Sequence, residues 1–171
     1  MKTPSEISAR ARSVFSAAGD RIKAGCHALH AAQSAAGQLQ SGATIKKAVR
    51  IYAEESALAL KQIADEVALQ IRHRGRAWAA GMDAVAGELE LHIANAPAYL
   101  EQSFTLANSG ASATEAGHAL IAGRSGDLRA QLHEFRDGWT APVPEAWDQR
   151  HRVVYAVILL VAGAILSAVL T

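Results

Sequence analysis

The sequence predicts an all-α protein: an elongated helical bundle of about four helical stretches, followed by a single C-terminal transmembrane helix. Three observations carry that prediction. Alanine supplies roughly one residue in five, while β-branched and aromatic residues are sparse before the C-terminus. Apolar residues recur at steps of three and four, the helical period. The last 19 residues, Val153 to Thr171, carry no charge.

The first helix should open at Thr3-Pro4-Ser5-Glu6, a capping box with proline at the first helical position. Its apolar stripe runs through Ile7, Val14, Phe15, Ile22, Cys26 and Leu29 to about Leu39, where Gln40-Ser41-Gly42 interrupts it. Thr44 is a candidate cap for the second helix. There the stripe is Ile45, Val49, Tyr52, Leu60, Ile63, Val67 and Ile71, broken at Ser56. After Gly75 it resumes with Trp78, Met82, Val85, Leu89 and Ile93. Either one helix extends from Thr44 to about Asn95, or it bends at His73 to Arg76. Gly75, Gly81 and Gly87 favour a bend, each costing about 1 kcal/mol against alanine in a helix interior. Pro97 marks a kink or a new first turn.

The stretch from Asn108 to Thr114 reads as a loop, and Ser112 with Glu115 as a second capping box. The following helix carries Leu120, Ile121, Leu128, Leu132 and Phe135, has a weak point at Gly123 to Gly126, and ends near Gly138. Residues 138–152 contain two prolines and form a connector. Trp139 and Trp147 within it either sit at the bilayer interface or cap the bundle. The expected organisation is therefore a cytosolic bundle over 1–137, a connector over 138–152 and a transmembrane tail anchor over 153–171.

The terminal run spans roughly 28 Å at about 1.5 Å per residue, the thickness of a hydrocarbon core. Arg150, His151 and Arg152 precede it and by the positive-inside rule keep that flank cytoplasmic. No apolar run near the N-terminus is long enough for a signal peptide. Ala156, Gly163 and Ser167 share one face of the span, and such small residues permit close approach of a second membrane helix. High alanine and arginine with little lysine fits a GC-rich bacterial source, for which the membrane would be the inner one.

With 17 basic and 16 acidic residues the chain is no polycation, and nucleic acid is not an expected partner. The balance is uneven along the chain, however. Residues 1–76 hold 12 Lys/Arg and 6 Asp/Glu, whereas 77–152 hold 5 and 10. Antiparallel packing of the two halves would pair these charges. Alternatively Lys46, Lys47, Arg50 and the cluster Arg72, Arg74 and Arg76 are candidate contacts to anionic headgroups, each worth about 1 kcal/mol near a charged surface.

Enzyme chemistry finds little footing. The stretch Gly117 to Ser125 has the wrong spacing for a phosphate-binding loop and arginine in place of its lysine. There is no Gly-x-Ser-x-Gly elbow. Cys26 and His30 share a helix face, and Glu115 and His118 form a Glu-x-x-His pair, but a di-iron site needs a second such pair and two further glutamates. No catalytic, cofactor or metal residue is assigned. Cys26 rules out an intrachain disulfide by being the sole cysteine, and Lys23 and His27 beside it are candidates for lowering its pKa.

Leu60-Lys-Gln-Ile-Ala-Asp-Glu-Val67 resembles the helical death motif of Bax-type apoptosis regulators, a family that pairs a helical bundle with a C-terminal anchor. The likeness covers eight residues. Ser56 stands where the motif has another large apolar residue, and Gly75-Arg76 follows too closely to be the family's central-helix motif. The leading expectation is a non-enzymatic interaction or scaffold module at the membrane surface. Its partners would be membrane lipid and a protein or a second copy, through the bundle and the transmembrane helix. The alternative is a membrane-active helical protein that permeabilises or remodels the bilayer, or regulates such a process.

Overall fold

The computed structural model describes residues 3–71, 75–107 and 111–138. The chain divides into a unit over Met1–Ala141 and a second over Pro142–Thr171, and the described residues all belong to the first. The expected membrane span, its Ala156, Gly163 and Ser167 face, the Arg150, His151 and Arg152 flank and the two connector tryptophans lie outside them.

The described residues are helical: α1 (Pro4–Ala35), α2 (Gly42–Gln70), α3 (Arg76–Ala94), α4 (Ala96–Leu106) and α5 (Ala111–Asp137). Asn95 alone separates α3 from α4, and Pro97 sits in the first turn of α4, where its missing N–H costs no helical bond. The two helices form one interrupted arm, which gives the four stretches expected. The capping box at α1 is present. Thr3 Oγ1 accepts from the Glu6 N–H, and the Glu6 carboxylate accepts from the Thr3 N–H.

Three boundaries differ from expectation, two of them for identifiable reasons. Helix α1 stops at Ala35 rather than Leu39 because Gly37 adopts φ +66. The Gly37 and Gln38 N–H groups then donate to the Ser34 and Gln33 carbonyls, a Schellman closure. Thr44 does not cap α2, which begins at Gly42 after Ser41; the Thr44 hydroxyl, fully buried, donates to the Gln38 and Leu39 carbonyls and ties down the α1–α2 connection. Helix α5 likewise starts at Ala111, inside the stretch read as a loop.

Contact register gives the topology. Arg10 meets Glu66, Arg21 meets Glu55 and Gly25 meets Ile51, so α1 and α2 are antiparallel. Ser56 meets His92 while Val67 packs by Gly81, so α2 and α3 are antiparallel too. One long helix from Thr44 to Asn95 is thereby excluded: the backbone turns extended at Ile71, and α3 restarts after Gly75. Helix α5 runs against α3, with Glu90 on Arg129 and Asp83 on Arg136. The arms therefore alternate up, down, up and down.

The core follows the sequence stripes. Ile22, Tyr52, Leu60, Ile63, Met82, Val85, Leu89, Leu100 and Leu128 are buried. Ala11, Ala18, Ala48, Ala59 and Ala96 are at most 1% exposed, and their small side chains let the helix axes approach closely. Leu120 departs from its stripe and is exposed.

The two charge halves do not pair as blocks. Arg12 reaches Glu88 across the halves, but Arg10–Glu66 and Arg21–Glu55 lie within the first half, and Arg129–Glu90 and Arg136–Asp83 within the second. The arms also pack across the halves, α1 on α3 and α2 on α5, but the inter-helix ion pairs other than Arg12–Glu88 join α1 to α2 and α3 to α5, so much of the neutralisation takes place inside each half.

Candidate functional site

Helix α2 turns one face to the core and leaves two leucines exposed on the other. Leu58 is 60% exposed and Leu69 is 71% exposed. They stand eleven residues apart, close to three turns, and so share one line on the helix. Between them the same face carries Lys61, Gln62 and Asp65, all exposed. Where α5 runs beside α2, Ala57, Leu58, Gln131 and Phe135 line an open groove of about 490 Å3, closed at its edges by Glu54 and Lys61. Its walls are mostly apolar, with charged groups at the rim. Composition and periodicity pointed to the core stripe and passed over this face. The signal was present: Leu58 and Leu69 are out of phase with Leu60, Ile63 and Val67.

A second feature lies between α1 and the α3–α4 arm. His92, buried, stacks between Phe15 at 5.1 Å and Tyr52 at 6.0 Å between ring centroids, with the Tyr99 ring tilted against it at 5.3 Å. Its Nε2 is 2.8 Å from Ser56 Oγ. Burial drives its pKa down to about 4, so the ring is neutral at pH 7. A cleft of about 290 Å3 opens above it, rimmed by Arg12, Glu88, Leu91 and Asn95. Glu88 is itself buried and accepts from the Arg12 guanidinium through both oxygens and from the Ser8 hydroxyl. Chiefly by the Arg12 hydrogen bonds, its pKa is held below the usual carboxylate range. The cationic and anionic groups of the cleft thus neutralise each other, and the histidine serves as a packed hydrogen-bonding element.

Cys26 and His30 both meet Ser103 of α4. Ser103 Oγ is 2.9 Å from His30 Nε2 and also hydrogen-bonds Cys26. Cys26 sits in the core, and its pKa is raised rather than lowered, because burial pushes the thiol up and outweighs the Ser103 hydrogen bond. His30 Nδ1 and Gln33 Oε1 are buried without a hydrogen-bond partner among the described residues. His118 stacks on Phe104 at 5.3 Å, and Glu115 is exposed. Among the described residues no group of three or more His, Cys, Asp or Glu could hold a metal ion.

The basic residues read as headgroup contacts are spread along the bundle. Lys46, Lys47 and Arg50 are exposed in the first turns of α2, and Arg50 leans on Glu54 at 3.5 Å. Arg76 opens α3 beyond the other end of α2, roughly 30 Å along that helix from Arg50 to Gln70. Arg72 and Arg74 lie outside the described residues. In the segment 60–67, Leu60, Ile63, Ala64 and Val67 are buried in this chain's own core, while Asp65 pairs with Lys61 and Glu66 with Arg10. No described helix is long and apolar enough to cross a membrane. No protein-family model, curated protein or solved structure matches the chain.

Proposed function

We propose that the protein is a non-enzymatic interaction module whose helical bundle is held at a membrane surface by the segment 153–171. The observation that carries the reading is the open apolar groove between α2 and α5, with Leu58 on its wall and Leu69 exposed about three turns further along α2. Monomeric proteins tolerate single exposed leucines, but Leu58, Leu69, Ala57 and Phe135 share one side of the bundle. Replacing bulk water there with another apolar surface would contribute about 25 cal/mol per Å2. The membrane half of the proposal is supported by the 19 uncharged residues at 153–171 and their basic flank, Arg150 and Arg152.

Alkaline carbonate extraction tests the address. The full chain should stay in the membrane pellet, and a chain truncated after Arg152 should move to the supernatant; equal solubility of the two removes the anchor. A photo-reactive residue at Leu58 tests the surface. It should give a discrete crosslinked product in native membranes, while one at the exposed Gly87 should not.

A further inference from the structure

The exposed face of α2 is the complement of itself when reversed. From N- to C-terminus it reads apolar at Leu58, cationic at Lys61, anionic at Asp65 and apolar at Leu69, all exposed. A two-fold axis crossing α2 between Gln62 and Ala64 would bring Leu58 against Leu69 of a second copy. The same axis would set Lys61 beside Asp65 of the second copy, and every such contact would occur twice, as an isologous interface requires. Parallel pairing would instead oppose Lys61 to Lys61 and Asp65 to Asp65, placing like charges together at the centre of the contact.

We propose that the occupant of this face is a second copy of the chain, joined through antiparallel α2 helices, with Leu69 of each copy entering the groove of the other at Ala57, Leu58 and Phe135. The proposal rests on the reading of α2 and α5 as the interaction surface and names its partner. Within one copy Lys61 and Asp65 form an i,i+4 pair at 2.6 Å. Association would extend that pair into a four-charge cluster flanked on both sides by leucines, a drier setting in which the attraction is stronger. The facing segments are about 17 Å long at about 1.5 Å per residue and about 10 Å wide, a contact of a few hundred Å2 in total, well below the roughly 1,200 Å2 of buried surface typical of a stable interface. The dimer is therefore dilution-sensitive in solution and favoured where two copies are confined together.

The test uses the full chain in mild detergent with Cys26→Ala as the cysteine-free background. One tagged version carries Leu58→Cys, a differently tagged version carries Leu69→Cys, and a short bis-maleimide links them. The mixed 58–69 product should predominate over the 58–58 and 69–69 products, because an antiparallel pair holds like positions roughly 17 Å apart along the helix. Lys61→Glu in both copies should abolish the mixed product, and the charge swap Lys61→Asp with Asp65→Lys should restore it, since the swapped face is again self-complementary. These positions are exposed, so the fold is not at issue; circular dichroism of each variant checks it. Predominance of either like product, or no product from any pair, overturns the dimer. In that event a crosslink from Leu58 to a different protein in native membranes would leave the interaction reading standing, and no crosslink from Leu58 at all would remove both.

Discussion

Ser56 Oγ lies 2.8 Å from His92 Nε2 and links α2 to α3 inside the core. The one polar residue that breaks the α2 stripe is thus the partner of the one histidine embedded in the α3 stripe. Ser56 is fully buried and His92 is 3% exposed. Ser56→Ala removes one partner and strands the other, which costs about 1–3 kcal/mol. Ser56→Leu, which would complete the apolar stripe, should be worse than alanine, because it adds volume to a packed site as well as removing the hydrogen bond. Urea midpoints should fall in the order wild type, Ser56→Ala, Ser56→Leu.

Burial of His92 makes stability depend on pH. Its folded-state pKa of about 4 lies below the ordinary 6.5, so the unfolded chain takes up the proton first. The contribution is fully present above pH 6.5 and is lost as pH falls towards 4, with a limiting slope of about 1.4 kcal/mol per unit. His30 is lowered in the same direction, by burial and then by His27, and steepens the loss. The carboxylates of Glu88 and Glu90, lowered mainly by hydrogen bonds from Arg12 and Arg129, lose their share at more acid pH. His92→Gln should flatten the stability profile between pH 6.5 and 4 whatever it does to the absolute value. Profiles that run parallel would show that His92 does not titrate differently in the two states.

The ion pairs should separate into one that matters and several that do not. Glu88 is buried and held by Arg12 and Ser8, whereas Arg50–Glu54 lies in solvent on a single helix. Arg12→Met leaves a buried carboxylate with the Ser8 hydroxyl alone, and should lower the denaturation midpoint clearly and most strongly near neutral pH. Arg50→Met should leave the midpoint where it was. Restoring the loss in Arg12→Met by adding Glu88→Gln would confirm that the stranded charge is the cause.

Helix identity and the core were legible because they depend on local period and composition. Ile7, Val14, Phe15 and Ile22 fall on the α1 core face as their spacing requires, and Thr3 with Glu6 caps it through bonds three residues apart. What escaped were features set by distant partners. Thr44 resembles a cap by sequence, yet its hydroxyl turns back to Gln38 and Leu39 because α1 has already ended at the left-handed Gly37. Ser56 looks like a gap until His92, 36 residues on, is brought against it. The Leu58 and Leu69 face was visible as a phase error, but its openness depends on where α5 lies, which no local pattern encodes.

Gln33 offers a test of how polar atoms are tolerated in this core. Its Oε1 is buried and has no partner among the described residues, and the residue is 6% exposed. A group in that state has given up water without recovering a hydrogen bond, at a cost of about 1–3 kcal/mol. Gln33→Met keeps a similar volume and removes the stranded acceptor, so the thermal midpoint should hold or rise. A drop would mean that the amide makes its hydrogen bond in solution.

Glycines inside the helices should split by what surrounds them. Gly87, Gly123 and Gly126 have open space where a Cβ would stand. Alanine at each should raise stability by about 0.5–1 kcal/mol, through backbone entropy alone. Gly117 is in the same helix as two of these but faces inward. A Cβ there would overlap the Phe104 ring and stand 3.1 Å from Ile45. Phe104 is already stacked on His118, which limits its retreat. Gly117→Ala should therefore lose about 1–3 kcal/mol to overpacking, more than the helical gain returns. Shortening the neighbour with Phe104→Leu should make the same Gly117→Ala change less costly. A double-mutant cycle measured by urea denaturation reads that coupling directly, and a coupling of zero would mean that α4 and α5 do not pack through these two residues.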